Sequence, residues 1–107
     1  MNGILILDKS PGKTSQKAVS EVKRILGVRK AGHSGTLDPL ATGVLPICLD
    51  EATKLVQFLS QDDKEYRATM LLGVTTDTLD IEGRITGRRN PAVDEAAIRE
   101  ALGGLTG

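Results

Sequence analysis

Apolar and polar positions along this 107-residue chain fall into short blocks whose period changes from one to the next. Gly3 to Leu7 is a run of isoleucine and leucine, which predicts a buried strand. Asp8 to Lys13 is a turn containing Pro11 and Gly12. Thr14 or Ser15 then caps a helix in which Ala18, Val22, Ile25 and Leu26 follow the i, i+4, i+7, i+8 spacing of one face, with Gly27 as its stop. A long polar loop holding His33 and Asp38 comes next. In a compact domain a loop of that length is more often functional than idle. Val44 to Leu49 predicts a strand, which Pro46 assigns to an edge or irregular position. Asp50 caps a helix to about Leu59 with Ala52, Leu55, Val56 and Leu59 on one face. Lys64 to Leu72 alternates as a strand does, with Tyr66, Ala68, Met70 and Leu72 on one side and Arg67, Thr69 and Leu71 on the other. Gly73 to Gly83 is an acidic, threonine-rich loop, Arg84 to Thr86 a short strand. Asp94 caps a last helix bearing Ala97, Ile98, Ala101 and Leu102 and ending at Gly103. Without strict βαβ regularity, this order predicts an α+β fold with a mixed, largely antiparallel sheet and packed helices.

Composition narrows the class. The length allows one small domain, and with 2% aromatic residues its core is built from Leu, Ile, Val, Ala and Met. No run is long and apolar enough to span a membrane, and Lys9 interrupts the first apolar run too early for a signal peptide. One Cys and one His exclude a standard zinc site within the chain, so no metal is expected. Cys48 lies in an apolar run and reads as an inert buried thiol, and a cytoplasmic protein is the default. The net charge is zero, but its distribution is uneven. Residues 1–34 carry seven basic and two acidic groups, and residues 35–107 carry seven basic and twelve acidic ones. A basic first third can steer phosphates toward the loop that follows it. For Lys17, Lys23 and Arg24 an ordinary solvated helix face is an equal alternative.

The densest chemistry lies in His33-Ser34-Gly35-Thr36-Leu37-Asp38-Pro39-Leu40-Ala41-Thr42-Gly43. Pro39 disfavours the α region for Asp38, and Gly35 and Gly43 permit sharp turns or close backbone approach. The loop therefore displays one carboxylate among hydroxyls, with His33 at its entrance, as nucleophilic or acid/base chemistry requires. Asp-Pro between glycines is also ordinary turn chemistry, and on these residues alone the turn is the stronger reading. Gly12-Lys13-Thr14 echoes the end of a phosphate-binding loop, but Leu7 stands where that pattern needs glycine. Asp77, Asp80 and Glu82 lack calcium-loop spacing and read as an exposed acidic turn. Tyr66 can be a core residue of its strand, and His33 a surface residue.

The stretch from Lys30 to Pro46 resembles the signature of the bacterial tRNA pseudouridine-55 synthases, the TruB-type family related to the dyskerin-type enzymes. Ile4 to Ser15 is similar to that family's opening strand and Asp-Lys-Pro-x-Gly-x-Thr-Ser loop, with Ser10 in place of the usual proline. Lys64 to Gly83, including Tyr66-Arg67, Leu72-Gly73, Thr76-Asp77-Thr78 and Asp80-x-x-Gly83, is similar to its tyrosine-bearing strand and following loop. The resemblance covers essentially the whole chain.

It implies an isomerase that converts uridine 55 in the tRNA T-loop to pseudouridine after extruding the base. Asp38 matches the catalytic aspartate, and Tyr66 the ring that stacks on the target uracil and can move a proton. His33 enters the T-loop to help displace the base, and Lys9, Lys30 and Thr36 are placed with it as RNA-binding residues. The Lys9 loop also supports the catalytic loop. The reaction breaks the N1–C1′ bond, turns the base and rejoins it through C5, without a cofactor. Asp38 is expected to be displayed in a pocket that receives the everted pyrimidine. Family members run beyond residue 107, so residues 1–107 are read as the N-terminal portion of a catalytic domain. The remainder supplies a basic partner for the aspartate and further pocket walls, followed in many members by a C-terminal RNA-binding domain. The fragment alone is expected to be weakly active or inactive, and to self-associate through unpaired sheet edges. Two alternatives are a non-catalytic RNA-binding module and a small nucleotide-binding domain using Gly12-Lys13-Thr14.

Overall fold

A computed structural model describes residues 1–106, which fall into two compact units, Met1–Glu65 and Tyr66 onward. The first holds a three-stranded antiparallel sheet of β1 (Gly3–Lys9), β3 (Gly43–Leu49) and β2 (Ala31–His33), in the spatial order β1-β3-β2. Helix α1 (Ser15–Leu26) covers one face. Its start and stop follow from local chemistry. Thr14 is extended and its side chain accepts from the Lys17 amide, and Gly27 ends the helix in the left-handed conformation with φ 65°.

Strand alternation decides which side chains meet α1. Leu45, Ile47 and Leu49 pair across the sheet with Leu7, Leu5 and Gly3, and pack with Ala18, Val19, Val22, Val28 and Leu37 into the core. Of the apolar stripe read from the sequence, Ala18 and Val22 are buried. Ile25 is exposed in the last turn, and Val19 takes a core position that the stripe did not include. The opposite face of β1 leaves Ile4 and Ile6 exposed.

Pro46 occupies the central strand rather than an edge. It pairs with Ile6 of β1, while its carbonyl accepts from Ser34 on the β2 side, one residue beyond the end of β2. Along a strand a residue's N and C=O point to the same side, so the absent N–H of Pro46 falls where the β2 ladder has already stopped. Strand β2 itself lies inside what the sequence presented as loop. It is three residues long and bonds to β3 through Ala31, Gly32 and His33, too short for an alternation signal.

Asp50 does not cap an α-helix. It adopts φ 49° and opens a 3₁₀ helix over Asp50–Leu55, which passes into a single α-turn, α2 (Val56–Leu59). Its carboxylate points elsewhere: Oδ1 accepts from the amides of Arg29 and Lys30 at 3.0 and 3.1 Å.

The second unit contains β4 (Val74–Thr76) and β5 (Ile85–Arg88), an antiparallel pair, and helix α3 (Glu95–Gly103). Asp94 caps α3 by accepting from the Ala97 amide. No residue of α3 is buried, so its apolar stripe is uncovered within this unit. Strand β4 lies in the segment expected to be loop. Lys64 to Leu72 is not a strand despite its alternation. No strand pairs with it among the described residues, and Met70 and Leu71 are exposed. Alternation describes a face to be covered, and an extended segment becomes a strand only against a partner. No described helix is long and apolar enough to cross a membrane.

Candidate active site

The connection from β2 to β3, residues 34–42, carries Asp38 and is fastened at several points. Its first residue donates from Ser34 N to the Pro46 carbonyl at 3.1 Å. Gly35 follows with φ 67°, and Gly43 closes the loop with φ 129°, both conformations that favour glycine. Between them Asp38, Pro39, Leu40 and Ala41 form a turn closed by Ala41 N donating to the Asp38 carbonyl at 2.9 Å. Asp at the first position and Pro at the second suit a β-turn.

The β1–α1 connection holds this turn from below. Gly12 N donates to the Pro39 carbonyl at 2.7 Å. Ser15 Oγ donates to the Leu37 carbonyl at 3.0 Å and accepts from the Leu37 amide at 2.9 Å. Lys9 Nζ donates to the carbonyls of Ser10, Pro39 and Ala41 at 2.9, 3.2 and 2.7 Å. Lys9 is 1% exposed. Lys9 is expected from the resemblance to contact RNA; here all three of its ammonium protons have partners inside the fold, and the group is not presented to solvent.

Asp38 is exposed, and among the described residues no side chain or amide bonds its carboxylate. It is a fixed backbone position with an uncommitted acid, able to act as base or nucleophile. Two surface concavities are lined by other residues. One, of about 450 Å³, is bounded by Asn2, Arg29, Lys30, Asp50 and Glu51. The other, of about 330 Å³, is bounded by β4 and β5 residues from Gly73 to Arg89. Thr36 is exposed on the Asp38 loop.

His33 ends β2 opposite Ile47 and so lies on the core-facing side of the sheet, half-buried. Its Nδ1 is buried without a hydrogen-bond partner. Lys30 precedes β2 with an exposed side chain, and its backbone is clamped to Asp50: its amide donates to Asp50 Oδ1, and its carbonyl accepts from Asp50 N at 2.8 Å. The chain's amino terminus, 2.9 Å from Oδ2, holds the Asp50 carboxyl below its ordinary range, with the Lys30 and Arg29 amides adding to the effect. Tyr66 opens the second unit and is 61% exposed, so the core role open to it in the sequence is not the one it has here.

Lys13, in the connection before α1, is paired with Glu21 of that helix at 2.7 Å, and this hydrogen bond holds the Glu21 carboxyl low, with Lys17 and Arg24 reinforcing it. Lys17, Lys23 and Arg24 have no acidic partner among the described residues. Cys48 is fully buried, and burial pushes its thiol up. No group of three or more His, Cys, Asp or Glu able to hold a metal occurs among the described residues.

Sequence reasoning missed two residues of this arrangement. Ser15 was read only as a possible helix cap, and Asp50 only as the cap of the next helix. The hydroxyl directly after Thr14 was the available signal for the first. The second bonds across 20 residues or more and left none.

Residues 23–107 match the family described as TruB family pseudouridylate synthase (N terminal domain). This chain belongs to the TruB family. A tRNA pseudouridine synthase B from Syntrophus aciditrophicus is 84% identical over all 107 residues, which span 34% of that relative. The corresponding protein of Methylococcus capsulatus is 50% identical and is spanned to 48% of its length. The chain thus covers between a third and a half of these TruB relatives. Among solved structures, an H/ACA RNP bound to a substrate RNA containing 2'-deoxyuridine is similar over 53% of this chain and 18% of its own, with a TM-score of 0.52 and 54% identity. An archaeal box H/ACA sRNP complex gives a TM-score of 0.51 at 56% identity. TruB membership accounts for the α+β architecture and links the chain to pseudouridine synthesis on RNA.

Proposed function

We propose that the polypeptide carrying these residues isomerises uridine 55 in the T-loop of tRNA to pseudouridine, with Asp38 as the acting acid. The observation that carries this reading is the pairing of an exposed, uncommitted Asp38 carboxylate with a backbone held from three sides, through Leu37, Pro39 and Ala41. A group that attacks or deprotonates a bound nucleotide must be free to react and fixed in place. An ordinary Asp-Pro turn needs neither a buried lysine nor a buried serine beneath it.

In this reading the target base leaves the RNA stack before reaction. Asp38 then acts at C1′ or on a sugar proton as the N1–C1′ bond breaks; the freed base turns and bonds C1′ through C5, losing the C5 proton while N1 gains one. Tyr66 stacks on the extruded uracil, and His33 displaces it from the T-loop. Lys30, Thr36 and the cations of α1 contact RNA backbone. The remaining pocket walls and a cation for Asp38 come from the part of the relatives' length that these residues do not span. No oxidant or reductant is required, because the reaction is redox-neutral.

The test grafts residues 1–107 onto the remaining length of the 84%-identical relative and follows pseudouridine formation in T-arm RNA. Site-specific conversion at the T-loop uridine is expected. Binding without conversion favours the RNA-binding module and overturns the enzymatic reading.

A further inference from the structure

We infer that Ser15 is a positioning residue for Asp38, acting through the backbone of Leu37; this rests on the isomerase reading above. Ser15 is 2% exposed. Its hydroxyl donates to one Leu37 backbone group and accepts from the other, at 3.0 and 2.9 Å. A hydroxyl has one proton and lone pairs to spare, so a single side chain completes the pairing that a neighbouring strand would otherwise provide. Leu37 is thereby fixed twice, since its side chain also belongs to the core.

The next residue is Asp38. On its far side Pro39 has a ring-locked φ, and the Pro39 carbonyl accepts from Gly12 and Lys9. The carboxylate therefore stands between two immobilised peptide groups. One of them depends on a hydroxyl in the first turn of α1. Thr14, the neighbouring hydroxyl, has a different task, because it caps the helix through the Lys17 amide. The two residues separate helix stability from loop placement.

Removing the Ser15 hydroxyl leaves the buried Leu37 N–H and C=O without partners, and the loop must shift to find others. A displacement of about 1 Å at a reacting group can cost on the order of 100-fold in rate. Ser15→Ala and Thr14→Ala, compared in the grafted enzyme, separate the two roles. Ser15→Ala lowers kcat about 100-fold while KM stays within about threefold, and the Leu37 amide exchanges with solvent markedly faster. Thr14→Ala loosens α1 but keeps kcat within about threefold and leaves Leu37 exchange unchanged. An unchanged kcat in Ser15→Ala, an equal loss in Thr14→Ala, or unaltered exchange at Leu37 overturns the inference. If the unmodified graft forms no pseudouridine, the isomerase reading fails and the positioning role falls with it, whereas exchange at Leu37 still reports whether the clamp exists.

Discussion

The Nζ of Lys9 lies 2.7 Å from the carbonyl oxygen of Ala41, a residue 32 positions along the chain. The bond joins the end of β1 to the last residue of the Asp38 turn. A lysine is rarely buried unless its ammonium group is fully hydrogen-bonded, and here three carbonyl oxygens take its three protons. The basic character of the first third is thus not uniform: one of its seven cations organises backbone inside the fold, and another, Lys13, is bound to Glu21.

Lys9→Met keeps most of the side-chain volume but removes a donor from each of those carbonyls; Pro39 keeps its bond from Gly12 N and Ser10 lies at the surface, so Ala41 bears most of the loss. An unsatisfied buried acceptor costs about 1–3 kcal/mol, and the expected loss of stability is of that order. Urea unfolding checks this through a lowered midpoint. The same variant, in the grafted enzyme at a temperature where it is folded, leaves the salt dependence of RNA binding unaltered, because no phosphate contact is lost.

Lys17→Ala and Arg24→Ala act in the opposite manner. These cations are exposed on α1 without acidic partners among the described residues, so their removal leaves folding intact. In the proposed RNA complex each lost phosphate contact reduces the slope of log K against log salt by about 0.7–0.9. Filter binding of the grafted enzyme across a salt series reads this. An unchanged slope in both variants assigns the helix face to solvent alone.

Asp50 makes acid stability predictable in sign. Its carboxyl is held below the ordinary value of 3.8 by the amino terminus and by the Lys30 and Arg29 amides, and the unfolded chain lacks these contacts. The stabilisation is present above pH 3.8 and is lost as pH falls through the lower, folded value. Glu21 and Glu51 are also lowered and contribute the same sign, so the difference between proteins is the informative quantity. Thermal melts of the unmodified chain and Asp50→Asn converge as pH drops from 5 to 2, the variant being less stable only at the higher end.

Tyr66 is exposed in its own unit, so Tyr66→Phe and Tyr66→Leu leave thermal stability unaltered. In the proposed reaction the ring is the working part. Tyr66→Phe preserves stacking and loses only what the hydroxyl contributes, whereas Tyr66→Leu loses more, about 10–100-fold, the order expected when one base–aromatic stack is removed. Steady-state rates on T-arm RNA compare the two.

How far the fold is legible in the sequence follows from the range of each interaction. Helix α1 is written locally: Thr14, the apolar spacing of Ala18 and Val22, and Gly27 lie within 14 residues, and the structure begins and ends the helix as those residues dictate. Asp94 writes the start of α3 in the same way. Pro46 misled because a proline rule for strands presumes that neighbours run the whole length of the strand, and β2 stops one residue short of it. Lys64 to Leu72 misled because alternation encodes a face and not the partner that would cover it. The residues proposed for the candidate site stand together in the sequence as a motif. Their support does not, because Lys9, Ser15 and Asp50 act through bonds spanning 20 to 32 residues, which leave no periodic trace.

The central claim is that Asp38 is a reacting group and not the corner of a turn. Asp38→Asn in the grafted enzyme tests it directly, with pseudouridine formation and RNA affinity measured on the same preparation. The carboxylate holds no partner among the described residues, so the variant keeps its unfolding midpoint and binds T-arm RNA as before, while conversion of the T-loop uridine is abolished. Conversion at an undiminished rate by this folded, RNA-binding variant contradicts the account.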